Sequence, residues 1–218
     1  MSLLLAVESS SNVYRIVIGR GRETIFDSAV DNCESSIRTL GSLLSCGLDV
    51  AGASAGDIKG IAINIGPGSL TFVRAGISFV NALAFSLNIQ IHAYNWFEIV
   101  AAQANGTTAL PIVCAVPAAN DNAYVGLIRG GTVEIMRFGP LDEALAKVSG
   151  GLTGEVAVAG RISHRLATLL GERRVVDIGI DTPDAGVLLR MLHDATRNDG
   201  NTIQQVEALN DQSPLFFD

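Results

Sequence analysis

The chain has 218 residues, with 15 Lys and Arg against 22 Asp and Glu, a formal net charge of −7. Apolar residues make up 48% and charged residues 17%, a balance that builds a sizeable core in one large domain or two small ones and excludes a disordered chain. Only Lys59 and Lys147 are lysines and the arginines are scattered, so no basic stripe offers itself to a nucleic-acid backbone and direct, tight DNA or RNA binding is disfavoured.

Leu3 to Val7 is a continuous apolar run without a basic segment before it, which predicts a buried strand rather than an export signal. Val13 to Ile18 and Glu23 to Ala29 flank Gly19-Arg20-Gly21-Arg22 and predict a hairpin. Glu34 to Cys46 has apolar residues at helical spacing, and Gly47 suits the position that ends such a helix. A strand over Asp57 to Ile65 breaks at Gly66-Pro67-Gly68, and Ser69 or Thr71 can cap a helix running to Leu87 that is apolar almost all round. A strand at Ile89 to Ala93 and a helix around Trp96 to Ala104 complete the first half.

After Asn105-Gly106-Thr107-Thr108 the order repeats: a strand at Leu110 to Val116, a hairpin of Ala123 to Arg129 and Thr132 to Phe138, then alternating helices and strands. These are helices at Leu141 to Val148, Ser163 to Leu170 and Ala185 to Ala195, with strands at Glu155 to Ala159 and Arg174 to Ile178. Two copies of hairpin-bearing mixed sheet with interleaved helices predict an α/β protein of two similar lobes, residues 1–106 and 107–218. The tail from Asn198 is polar until Pro214-Leu215-Phe216-Phe217 and is expected to be mobile unless those residues dock. The longest strongly apolar stretches fall short of the roughly 20 residues that span a bilayer, which predicts no membrane span and a cytoplasmic protein. The cysteines Cys33, Cys46 and Cys114 lack a CxxC spacing and are expected as reduced, mostly buried thiols.

A strand, a glycine turn and a helix N-terminus can aim N–H groups and the positive end of a helix dipole at an anion. Gly66, Gly68 and Ser69 lack the lysine of a P-loop and the third glycine of a dinucleotide fingerprint, so they predict first a tight turn feeding a buried helix, with phosphate binding as the alternative. Ser9, Ser10 and Ser11, after the first strand, are in the same position: plain turn chemistry first, a phosphate or metal second. His92, His164 and His193 lie far apart without a chelating pair, and no nucleophile elbow or Cys-His signature is visible, so no catalytic residue, metal or cofactor is expected. The helix from Thr71 to Leu87 carries small residues at Ala75, Gly76, Ala82 and Ala84 beside Phe72, Phe79 and Phe85, and this apolar excess serves either the core or a partner.

Leu4-Leu-Ala-Val-Glu-Ser-Ser10, Ile58 to Ile65 with Gly66-Pro-Gly-Ser-Leu-Thr-Phe-Val-Arg74, and Ala82-Leu-Ala-Phe-Ser-Leu87 resemble the bacterial TsaB (YeaZ) proteins, of the glycoprotease-like branch of the actin-like ATPase (ribonuclease H-like) fold. The resemblance implies a non-catalytic scaffold that dimerises with the catalytic subunit TsaD and acts with the ATPase TsaE in tRNA threonylcarbamoyladenosine modification beside the anticodon, meeting tRNA only indirectly. It places the partner or homodimer surface on Phe72, Val73, Gly76, Phe79, Val80 and Leu83, with Leu40 and Leu44 from the preceding helix. Glu8 stands where the family has Asp, Phe72 where it has Gly, and Pro117 to Asn120 replace an Asp-Ala-Arg start to the second hairpin. The rival expectations are a nucleotide-binding ATPase or kinase-like enzyme of the same fold, for which Ala159-Gly160-Arg161 is the only adenosine candidate, and an inactive glycoprotease-like homodimer.

Overall fold

The computed structural model describes residues 2–31, 39–171, 173–197, 205–209 and 212–216. It divides into two compact units, one of residues 1–95 and 184–208, the other of residues 96–183 and 209–218. The boundary expected at residue 106 therefore falls elsewhere: the helix at Trp96–Ala104 buries its apolar side on the second sheet, and the helix at Ala185–Arg197 on the first.

In the first unit β1 (Leu3–Glu8), β2 (Arg15–Arg20) and β3 (Glu23–Asp27) form an antiparallel meander. β4 (Ile58–Asn64) and β5 (Ile91–Tyr94) add in parallel on the other side of β1, giving the order β3-β2-β1-β4-β5. β1 and β4 are buried almost throughout, because helices cover both faces of the sheet. On one face lie α1 (Leu40–Ala51) and α2 (Leu70–Leu87), packed on Leu3, Leu5, Val7, Ile61 and Ile63.

The start expected for α1 at Glu34 lies outside the described residues. Thr39 and Ser42 cap α1 reciprocally, and the helix does not end at Gly47 but runs through it to Gly52, whose left-handed φ of 58° closes the last turn. Gly47 is instead where α1 meets the hairpin: a Cβ there would lie 2.6 Å from Phe26 Cδ1 and 2.7 Å from Ile18 Cδ1. The thiol expectation holds at Cys114, which is free and buried, and burial raises its pKa, so it is an inert core group. It is corrected at Cys46, which is disulfide-bonded; Cys33 lies outside the described residues.

On the opposite face α6 (Ala185–Arg197) covers β1, β4 and β2. His92 is 5% exposed, and its Nδ1 has no hydrogen-bond partner. Burial lowers its pKa below the ordinary 6.5. The unfolded chain therefore takes up the proton first, and the stability this group leaves intact above pH 6.5 is lost as pH falls from there toward the folded value. His92→Leu should flatten that acid slope, as read by urea unfolding on either side of pH 6.5.

The second unit repeats the plan. β6 (Ile112–Pro117), β7 (Asn122–Arg129) and β8 (Thr132–Pro140) form the meander, and β9 (Val156–Ala159) and β10 (Val175–Asp177) add in parallel, in the order β10-β9-β6-β7-β8. α4 (Leu141–Ser149) and α5 (Ser163–Leu169) cover one face, and α3 (Trp96–Ala104) the other. Phe97 fills the space that Gly126 leaves on β7, where a Cβ would come within 2.5 Å of its Cδ1. The tail docks at Phe216, which is 1% exposed against Tyr124 with ring centroids 4.8 Å apart. Two mixed five-stranded sheets of this one order, each with helices on both faces, make the actin-like ATPase fold.

Candidate functional site

The end of β1, the end of β4 and the start of α2 meet in the first unit. Glu8, the last residue of β1, is 1% exposed and turns its carboxylate back into the loop that follows it. Its Oε1 accepts the Ser10 backbone N–H at 2.6 Å, the Ser10 hydroxyl, and the Asn64 side-chain amide at 3.2 Å. Asn64, at the end of β4, uses its Oδ1 to accept the Gly66 N–H at 2.9 Å, so one side chain ties Glu8 to the glycine turn.

Beyond it the Gly66–Pro67 peptide is cis and Gly66 has φ of 99°. The Ser69 N–H donates to the Ser10 carbonyl at 2.9 Å, and Ser69 takes the position before α2 without a side-chain cap. Ser9 is fully buried, its hydroxyl lacks a hydrogen-bond partner, and it lies against Gly76, where a Cβ would collide with it. Glycine at 76 thus lets α2 sit directly on the β1 loop.

Ser9, Ser10, Gly66, Gly68 and Ser69 are thereby brought together as the phosphate alternative requires, with Ser11 half-buried in the same loop. The donors converge on Glu8, and Gly68 packs directly on the Ser10 main chain. Arg15, opposite Glu8 in the β1–β2 register, lends it positive charge. Burial is nevertheless the larger influence and raises the Glu8 pKa above the ordinary 4.5, with the Ser10 and Asn64 bonds opposing it.

The folded chain thus holds the Glu8 proton more tightly than the unfolded one. Its stabilising share is complete below pH 4.5 and is lost as pH rises through the folded value. Glu8→Gln, which keeps an acceptor oxygen without the charge, should remove that part of the decline in urea-unfolding free energy above pH 4.5.

The expected partner surface divides in two. Val73, Gly76 and Val80, with Ile77 and Ala84, form the buried stripe of α2 on the sheet, and Leu40 and Leu44 are 6% and 8% exposed under α1. These five expected contacts, Leu40, Leu44, Val73, Gly76 and Val80, are core residues without surface for a partner, because the side of each helix that they occupy faces the sheet. Phe72, Phe79 and Leu83 remain partly exposed, and at three- and four-residue spacing they join Ala75 and Ala82 in a second apolar face. Phe72 also leans on Tyr14 from the β1–β2 loop, with ring centroids 4.9 Å apart.

Phe85, expected with Phe72 and Phe79 in the apolar excess, is 90% exposed and stands beside this face, off both stripes. α2 has 18 residues and a mean hydropathy of 1.5, enough by length and composition to cross a membrane, which the sequence expectation did not foresee; in the fold it is a sheet-covering helix. Among the described residues no three His, Cys, Asp or Glu side chains gather to hold a metal ion.

The chain has the actin-like ATPase fold, with an intramolecular carboxylate at the end of its first strand. A family model described as "TsaD: tRNA N6-adenosine threonylcarbamoyltransferase" matches residues 34–160, more than half of the chain. The chain belongs to this family of tRNA-modification proteins. Among solved structures, YeaZ from Pseudomonas aeruginosa is similar at TM-score 0.74 and 23% identity, covering 96% of this chain and 100% of its own.

An uncharacterized protein with similarity to peptidase YeaZ, from the same organism, reaches TM-score 0.76 at 22% identity, covering 97% and 100%. Component A of the (R)-2-hydroxyglutaryl-CoA dehydratase of Acidaminococcus fermentans is more distant, at TM-score 0.51 and 10% identity, covering 90% and 100%. No curated protein matches the chain. Family and fold together support the TsaB (YeaZ) assignment that the Gly66 to Arg74 segment implied.

Proposed function

We propose that the chain is a non-catalytic, TsaB-like scaffold that dimerises with a TsaD-like catalytic subunit and supports threonylcarbamoylation of tRNA, together with a TsaE-like ATPase. The observation that carries this reading is the second apolar face of α2. A helix needs one stripe to cover its sheet, and Val73, Gly76, Ile77, Val80 and Ala84 supply it. Phe72, Ala75 and Ala82 stand outside that stripe, Phe79 and Leu83 keep part of their surface exposed while packing on the core, and interface cores favour aromatic residues and exclude charge.

The family membership supports the process. Co-purification with the TsaD-like protein of the same cell, scored by size exclusion with and without ATP, is the test. A stable heterodimer is the expected result. A chain that stays monomeric or purely homodimeric in both conditions would overturn the reading, the homodimer outcome favouring the self-contained alternative.

A further inference from the structure

We infer that the loop after β1 is a small-oxyanion site which the chain fills with its own Glu8 carboxylate, and which is thereby closed to an outside phosphate. The inference goes beyond the scaffold reading and does not depend on it. Three donors, the Ser10 N–H, the Ser10 hydroxyl and the Asn64 amide, point at one oxygen, Glu8 Oε1. Such convergence of main-chain and side-chain donors on a single buried oxygen is how proteins hold anions.

Two further features surround the carboxylate. Arg15 sits opposite Glu8 in register; its Nη2 pairs with Asp27 Oδ1 at 3.9 Å, while its Nε is buried without a hydrogen-bond partner, so positive charge stands beside the loop. The loop is also clamped shut, because the Ser69 N–H holds the Ser10 carbonyl at 2.9 Å and Gly68 lies against the Ser10 main chain. A phosphate approaching the glycine turn would need the same donors, and they are already engaged by a group the chain cannot release.

The site becomes available when the carboxylate is removed and nothing replaces it. Glu8→Gly leaves the Ser10 N–H and hydroxyl buried without their acceptor, while the Asn64 amide keeps only its 3.2 Å bond to the Ser10 hydroxyl oxygen, and the space they face has the size of the deleted side chain. Acetate reproduces the end of that side chain. In about 0.1 M acetate, against chloride at equal ionic strength, Glu8→Gly should gain roughly 2–4 °C in thermal midpoint. Wild type and Glu8→Gln, whose own oxygen still occupies the donors, should not respond.

If Glu8→Gly is unfolded in chloride, acetate should restore its folded signal. The inference is overturned if acetate leaves Glu8→Gly unchanged or unfolded. It is equally overturned if wild type or Glu8→Gln responds as strongly, or if inorganic phosphate shifts the wild-type protein as acetate shifts Glu8→Gly.

Discussion

Ala82→Arg should weaken association with the TsaD-like subunit by about 100-fold or more, while the protein alone keeps its thermal midpoint. The reasoning starts from where the side chain stands. Ala82 is exposed, on the side of α2 away from the sheet, between Phe79 and the partly exposed Leu83. An arginine there disturbs nothing in the core, yet in a docked complex it would put a charge and a long side chain into the middle of an apolar contact. Leaving such a charge unpaired costs about 3 kcal/mol, which corresponds to roughly two decades in the dissociation constant.

Phe79→Asp or Leu83→Asp would act at the same place, but both side chains also pack on the core of the first unit, so loss of binding there could be loss of folding. Ala82→Arg separates the two effects. Affinity is read by titration calorimetry and folding by circular dichroism on one preparation. Unchanged affinity in the folded variant would move the partner surface away from α2. Phe85→Ala serves as the companion, since a side chain 90% exposed contributes little to the isolated fold.

The order of elements was legible because strands such as β1 and β9 centre on short apolar runs, and the β2–β3 and β7–β8 hairpins are marked by glycine, at Gly21 and at Gly130-Gly131. Which helix serves which sheet was not legible. α3 and α6 have apolar faces of ordinary kind, and nothing local to Trp96 or Ala185 says that the chain passes from one compact unit to the other at residues 95/96 and 183/184.

Gly47 shows a similar limit. Glycine ends helices and also permits close approach, and only the distant Phe26 decides between the two. α2 is apolar almost all round in the sequence, and the resemblance places Val73 and Val80 on the same surface as Phe72 and Phe79; only packing on the sheet separates the two sets. Glu8 was visible as the polar end of a strand. That its side chain folds back onto Ser10 depends on Asn64, 56 residues away in sequence, and leaves no mark in the local pattern.

Gly68→Ala is expected to destabilise the protein by about 3 kcal/mol, lowering the thermal midpoint by roughly 6–12 °C for a chain of this size. An added Cβ would lie 2.6 Å from both the Ser10 Cβ and the Ser10 carbonyl oxygen, and 2.9 Å from the Ser10 Cα. None of these atoms belongs to a side chain that could rotate aside, so the glycine turn and the β1 loop must separate. Their separation strains the bond from the Ser69 N–H to the Ser10 carbonyl and pulls Ser10 away from the Glu8 carboxylate it helps to hold. Three linked contacts therefore fail together, where an ordinary surface glycine would lose none. Gly41→Ala, in the first turn of α1 where no atom lies within 4 Å, is the matched control and should be neutral or slightly stabilising, because alanine loses less conformational freedom on entering a helix. The two variants are compared by thermal unfolding followed at a single helix signal. Equal midpoints would mean that the loop and the turn are not in contact, and the closed anion site would then lose its wall.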